Sequence, residues 1–264
     1  MPSLKVNGQT YSIEPGENLA GANLSGADLR NVDLTGADLK NADLTNAHLT
    51  GADLRSANLT GADLRSADLT GAKLDGADFT STILTNIKSG NITGTLLPGT
   101  LDTDFHLING FIIGPHANLN HADLTGLDLS GLNLNNMYLH YADLTNVNLD
   151  GAQLNNTQLT NATLTGVKSR GITGTPNLPS NYQVINGYIV GANVNLTDAD
   201  LTGADLTGAD LTGVVLTGAK YSSQTMGLTK EQLSVMDVAW ATEDKVVTTY
   251  EDSPITFSVN IMFP

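Results

Sequence analysis

The chain has 264 residues, with 27 Asp and Glu against 12 Lys and Arg, a formal net charge of −15 and no cysteine. Disulfides and thiolate metal sites are therefore excluded, and the acid excess argues against direct nucleic-acid binding, which needs a basic footprint. It leaves room for a basic protein partner, or for one that normally holds DNA. No apolar run is long enough to span a membrane, and no charged, apolar, cleavable leader follows Met1-Pro2-Ser3. The expectation is a soluble, most simply cytoplasmic protein without membrane contact, a virion or another compartment staying open.

Residues 1–17 read as a hairpin: Asn7-Gly8 separates Leu4 from the Tyr11-Ser12-Ile13 stretch, and Asn-Gly between apolar-rich runs is a hairpin signal. A period of five then takes over. Leu19, Leu24, Leu29 and every fifth residue to Leu74 fall on one register, continued by Phe79 and Leu84, so residues 18–88 hold fourteen units. Ala stands two before nearly every Leu, Asp or Asn one before, and Gly, Asn or Ser two after. Five suits neither the helical period of 3.6 nor the strand period of 2. Two apolar positions and a turn former per unit describe a short extended piece plus a corner, and pieces that always turn the same way wind into a solenoid.

These residues resemble the pentapeptide repeat family, whose pattern is A-[DN]-L-x-x. The resemblance implies an all-β fold, a right-handed quadrilateral β-helix with one pentapeptide per face and four per coil. Residues twenty apart should then stack about 4.8 Å apart. Leu24, Leu44, Leu64 and Leu84 form one inner column, and Leu29, Leu49 and Leu69 another. Asp33 comes over Asp53, Asp43 over Asp63, and Asp28 near Asp68 across His48, with Arg30, Lys40, Arg55, Arg65 and Lys73 interspersed to offset the repulsion. The 1–17 hairpin would cap the first coil, whose open edge needs cover.

The register breaks twice, in two copies of one element at residues 85–113 and 165–190. Lys88 matches Lys168, Ile92 matches Ile172, Gly94 matches Gly174, Phe105 matches Tyr182, Asn109-Gly110 matches Asn186-Gly187, and Phe111 matches Tyr188. Asn7-Gly8 is a weaker third copy. Inserts of this kind belong, by the same resemblance, to long pentapeptide proteins of cyanobacteria. Read as projections from the rod, they offer Phe105, Phe111, Tyr182 and Tyr188 as partner contacts.

Between them lies the second block, residues 115–168, with its small inward site enlarged to Leu127, Leu132, Met137 and Val147, which predicts wider coils. No Lys or Arg occurs from Ser89 through Val167, whereas Asp102, Asp104, Asp123, Asp128, Asp143 and Asp150 do. The third block, residues 192–221, is little more than one coil and must stack on what precedes it. The whole of 18–221 therefore reads as one interrupted solenoid. In the tail, 222–264, Thr229 and Gln232 have capping-box spacing, which predicts a helix over about 229–240 with Trp240 as a plug. The remainder alternates around a turn as a hairpin. Ile255, Phe257, Val259, Ile261 and Phe263 make an apolar terminus, the candidate oligomer surface of a monomer or homodimer.

No active site is recognised, and the chain is read as a non-enzyme without cofactor. The serines sit in turn-like positions with no nucleophile-elbow motif. His121 should stack beneath Tyr141 with His140 adjacent, but three good metal ligands are not evident. Tyr138 and Tyr141 read instead as exposed contact residues, and Met137 as core. The resulting function is a structural or protein-interaction scaffold, a rigid acidic rod with a protein partner not identified by sequence. Two alternatives stand beside it. One, implied by the family resemblance, is a DNA mimic that occupies the DNA-binding saddle of gyrase; the other is a component of a larger assembly such as a virion.

Overall fold

The computed structural model describes residues 3–238, 247–250 and 253–256. Its logic is visible in a single unit, Asp43-Leu44-Thr45-Asn46-Ala47. The Asp43 N–H donates back to Ala22 O in the coil before, at 2.9 Å, while the N–H groups of Leu44 and Asn46 donate forward to Asp63 O and Arg65 O, at 2.8 and 2.9 Å. The Ala47 N–H donates to Leu44 O at 3.0 Å and closes a β-turn. Only the Thr45 N–H is left, and it donates to Asp43 Oδ1 at 3.0 Å. All five backbone donors of the unit are thus satisfied, which is why a short polar acceptor precedes most Leu of the register. The third residue of the turn, Asn46, has φ +57°, the left-handed region that a turn of this type requires and that Gly and Asn occupy at least cost.

Parallel bridges join residues twenty apart, Asn18 to Asp38, Asn23 to Asp43, and so on to Lys73 and Thr93, so four units complete a coil. Leu24 through Leu74 on the register are fully buried, and Ala37 through Ala77 are buried beside them. Each buried Leu contributes roughly 2 kcal/mol of apolar burial, and the small Ala opposite lets neighbouring walls close. In the second block Leu127, Met137 and Val147 are buried in the Ala slot, whereas Leu132 is only partly so.

Three antiparallel hairpins interrupt the parallel stack: β1 (Ser3–Val6) with β2 (Gln9–Ser12), β3 (His106–Ile108) with β4 (Phe111–Ile113), and β5 (Gln183–Ile185) with β6 (Tyr188–Val190). Each turns on Asn-Gly with both φ positive: 48° and 83°, 45° and 80°, 49° and 77°. Two consecutive positive φ values define the hairpin turn that matches strand twist. The second and third hairpins do not project, contrary to the expectation from sequence. Ile112, Ile113, Ile189 and Val190 are fully buried, because the second strand of each hairpin lies across the coil below. The Ile92 N–H donates to Gly110 O and the Ile172 N–H to Gly187 O, at 3.1 and 3.0 Å. The Ile112 and Ile189 N–H groups donate to Ser89 Oγ and Ser169 Oγ, at 2.9 and 2.8 Å. The two copies therefore dock alike.

The coil also continues past both interruptions. Lys88 bridges Asn118, and Asn195 N–H donates to Val167 O at 3.0 Å. A first apolar cluster runs from Val6 to Ile189 and a second from Tyr188 to Met236, so β6 carries residues of both. At the far end β7 (Lys220–Tyr221) pairs in parallel with β8 (Asp237–Val238). Between them the helix α1 (Lys230–Leu233) starts on the Thr229–Gln232 capping box. It is a single turn rather than the helix to 240 expected from sequence: Met236 is buried against the last coil, and the chain straightens to pair with β7. Trp240 lies outside the described residues. Beyond it, β9 (Val247–Tyr250) pairs antiparallel with β10 (Ser253–Thr256).

Candidate functional site

On a solenoid whose inner slots are filled alike, what distinguishes one stretch of wall from another is the outward residues. The first block pairs its own. Asp28 and Asp53 each receive two hydrogen bonds, and Asp63 three, from the guanidinium two residues on, Arg30, Arg55 and Arg65, with closest contacts of 2.6, 2.7 and 2.6 Å. Lys73 adds a contact to Asp53 across the coil, and Lys88 one to Asp68. The Arg30 side chain holds the Asp28 carboxyl down to about 2, and the Arg55 side chain, with Lys73, holds Asp53 well below the usual carboxylate range.

The second block departs from this pattern at one corner. The unit Met137-Tyr138-Leu139-His140-Tyr141 keeps Met137 and Leu139 inside and sends its other three side chains outward. Tyr141 is the third residue of a turn, φ +59°, closed by Ala142 N–H on Leu139 O at 3.2 Å. That slot is taken mostly by Gly, Asn or Ser, with His116 and Asp198 as further exceptions, and a bulky side chain there costs on the order of 1–2 kcal/mol. One coil before, His121 stands in the same strained slot with φ +61°. The two rings are parallel within 2° at a centroid distance of 5.1 Å, and Tyr138 and His140 lie 6.5 Å apart and tilted by 39°. Tyr141 is 58% exposed and Tyr138 36%.

Two further features border the corner. The next face carries Asp123 stacked on Asp143. The Thr125 hydroxyl and then its backbone N–H hold the Asp123 carboxyl below its usual range. On the next coil, where Gln158 bridges Tyr138 and Thr160 O accepts the Tyr141 N–H, an open groove of about 690 Å³ runs under residues 174–184. Pro176, Pro179, Tyr182 and Val184 line it together with Gln158 and Thr160. Lys168 and Arg170 lie two faces away, where Arg170 is 3.5 Å from Asp150.

Of the six aromatic residues proposed from sequence as contacts, only Tyr138 and Tyr141 are presented to solvent. Phe105 and Phe111 are half-buried against the core, the Phe105 ring lying over Gly114. Tyr182 is likewise half-buried over Gly191, its hydroxyl donating to Ala192 O at 3.0 Å. Burial first, and the Asp210 carboxylate second, push its phenol up. Tyr188 is buried, its hydroxyl accepting the Asp200 N–H at 2.8 Å, so it serves packing and not contact. The groove has no signal in the sequence beyond Pro176 and Pro179, which lack the N–H that a ladder uses, while Asn177 between them still bridges Gln158. Ile255 falls in β10, while Phe257, Val259, Ile261 and Phe263 lie outside the described residues. Among the described residues no group of three or more His, Asp or Glu side chains is placed to hold a metal ion. No helix there is long and apolar enough to cross a membrane.

Comparison with known proteins gives one family. The model of pentapeptide repeats matches residues 18–51, 47–86, 117–155, 128–166 and 192–220, in eight copies. Among solved structures, HetL, a pentapeptide repeat protein involved in heterocyst differentiation regulation from the cyanobacterium Nostoc sp. strain PCC 7120, is 28% identical over 76% of this chain and 73% of its own, with a TM-score of 0.29. Full-length QnrB1, a plasmid-mediated fluoroquinolone resistance protein, is 15% identical over 86% and 90%, with a TM-score of 0.27. Rfr23, a pentapeptide repeat protein from the cyanobacterium Cyanothece 51142, is 21% identical over 62% and 88%, with a TM-score of 0.16. No curated protein matches.

Proposed function

Because the chain belongs to the pentapeptide repeat family, whose members fold as right-handed β-helices, we propose that it is a non-enzymatic scaffold that binds a protein along its outer walls. One observation carries the reading. The ladder satisfies its own backbone donors and fills its own core, yet the second block spends backbone strain to hold the exposed ring of Tyr141, with Tyr138 also exposed on the same unit. Strain at an over-determined surface position points to contact rather than to folding. Cross-linking mass spectrometry on the chain with its captured protein partner tests it. Contacts should fall on outward residues of the coils; contacts confined to the tail, or none above a scrambled control, would overturn it. Light scattering of the intact chain decides between a monomer and a homodimer through the tail.

A second reading, DNA mimicry toward gyrase, draws support from the net charge of −15 and from the absence of any Lys or Arg between Ser89 and Val167. Its test is a supercoiling assay with purified gyrase. Inhibition or protection that scales with the chain and disappears when the second-block aspartates become Asn supports it, and an unchanged assay removes it.

A further inference from the structure

The geometry points to a docking site for an extended, arginine-bearing polypeptide segment, running from the Tyr138–Tyr141 corner into the groove beneath residues 174–184. The inference rests on the scaffold reading and names its site and the chemistry of its partner. Three observations converge on it.

The first is the form of the platform. The ring of Tyr141 is parallel to that of His121 and largely open to solvent, with Tyr138 beside it. A planar guanidinium stacks on such a face and keeps its edge free for hydrogen bonds, which an ammonium does not. The second is charge. Asp123 and Asp143 line the adjoining face, and Asp210 is close enough to act on Tyr182 at the groove. The cations nearest in sequence, Lys168 and Arg170, are two faces away. Lys88, two coils back on the same face, is paired with Asp68 at 2.9 Å, so a cation arriving at this corner meets the Asp123 and Asp143 carboxylates first. The third is continuity. Gln158 and Thr160, which line the groove, lie one coil from the tyrosines, about 5 Å. An extended chain covers that step in two residues, so an arginine on Tyr141 brings the following residues directly to Pro176, Pro179 and Val184. The groove's mixture of apolar side chains and amide or hydroxyl groups suits a polypeptide backbone.

The test uses the intact chain and a fluorescein-labelled peptide of about ten residues alternating arginine and serine, with a lysine–serine counterpart. Fluorescence anisotropy should show the arginine peptide bound about threefold or more tightly than the lysine peptide, both weakening with salt. Tyr138→Asn with Tyr141→Asn should weaken the arginine peptide about fivefold and erase its advantage. Asn already stands at the matching positions Asn118 and Asn161, so the coil keeps its fold. Asp123→Asn with Asp143→Asn should weaken both peptides, since Asn keeps the bond to the residue two on and removes only charge. Asp128→Asn, on another face, should change neither. Equal binding of the two peptides, an Asp128→Asn effect as large as that of Asp123→Asn, or no binding overturns the inference. So does a glycan array signal that vanishes in the tyrosine variant, which would assign the platform to a saccharide. Partner cross-links on other walls would leave the scaffold reading standing and remove this site alone.

Discussion

Ser89 and Ser169 should be equivalent, and each should be worth more than its exposed counterparts. Ser89 is 7% exposed and accepts the Ile112 N–H; Ser169 is 2% exposed and accepts the Ile189 N–H. In each case the donor belongs to the buried strand of an internal hairpin, Ile112 and Ile189 being fully covered, so water cannot replace a lost hydroxyl. Changing either serine to Ala leaves a backbone donor unpaired in the core, at a cost of about 1–3 kcal/mol. The serine removed is small, so little cavity adds to that. Ser130→Ala, on an exposed turn, should cost within about 0.5 kcal/mol. The two buried changes are far apart along the rod and share no partner, so the double variant should add within about 0.5 kcal/mol. Hydrogen exchange read by mass spectrometry gives the local answer. Protection should fall at 106–113 in Ser89→Ala and at 183–190 in Ser169→Ala, with global stability followed by urea unfolding. Unchanged exchange at the hairpin amides, or a Ser130→Ala effect of the same size, would refute the reasoning that these hydroxyls dock the hairpins.

Leu54→Ala should cost about 2–5 kcal/mol, because Leu54 is fully buried between two coils, and Leu54→Asp should open the array locally; urea unfolding and exchange at neighbouring coils check both. Gly114→Ala should destabilise by about 1–3 kcal/mol, since a Cβ there lies 2.7 Å from Asp104 O and against the Phe105 ring, and a shifted thermal midpoint reads it. Acid should weaken the first block. Asp28, Asp53 and Asp63 have folded-state values below the unfolded value of about 3.9, held there by the Arg30, Arg55 and Arg65 side chains, with Asp28 at about 2. Depressed carboxylates stabilise above the unfolded value and lose that contribution as pH falls through the folded one. The melting temperature should therefore drop between pH 4 and pH 2, and a flat profile across that window would count against the pairing.

The repeat was legible because each of its positions answers one local demand. Leu and Ala fill the coil, Asp or Asn takes the otherwise orphaned N–H, and Gly, Asn or Ser supplies the positive φ, as Asp43, Leu44, Asn46 and Ala47 show. Such demands repeat every five residues and leave a signal in composition alone. What decides the hairpins is not local. Nothing in Phe105 or Tyr188 says whether the ring faces solvent or Gly114 and the Asp200 N–H; that depends on chain nine and twelve residues further on. The tail failed for the same kind of reason. Thr229 and Gln232 start a helix as their spacing says, but Met236 is drawn to the last coil and β8 to β7, which ends the helix after one turn. At the corner, the stack of His121 on Tyr141 follows from their spacing of twenty, whereas the groove beside it needed the course of residues 174–184.

One device explains where the repeats start. A parallel coil can be extended only by a unit already in register, because each Leu N–H and Asp N–H looks twenty residues forward or back for its partner. The first run of fives has no such partner behind it, whereas the later two pair back through Asn118 N–H on Ile87 O and Asn195 N–H on Val167 O. An antiparallel hairpin closed on Asn-Gly satisfies its own pairing and offers one edge outward, so it can begin a run where no earlier coil exists. At the start of the chain it does so alone: β1 and β2 precede Asn18, the Asn7 side chain reaches Asn23 at 3.0 Å, and the Tyr11 hydroxyl accepts the Asn23 N–H at 3.1 Å. The third hairpin repeats the arrangement toward its own run, Asn186 reaching Thr202 O at 3.4 Å and the Tyr188 hydroxyl accepting the Asp200 N–H, again twelve residues on. It adds, on its other side, the dock on Ser169 and Ile172 that a first hairpin cannot have. An internal hairpin is thus a starting cap with a coil placed beneath it. The rod is three cap-and-block units stacked end to end, and the groove beside Tyr141 lies where the second of those units meets the cap of the third.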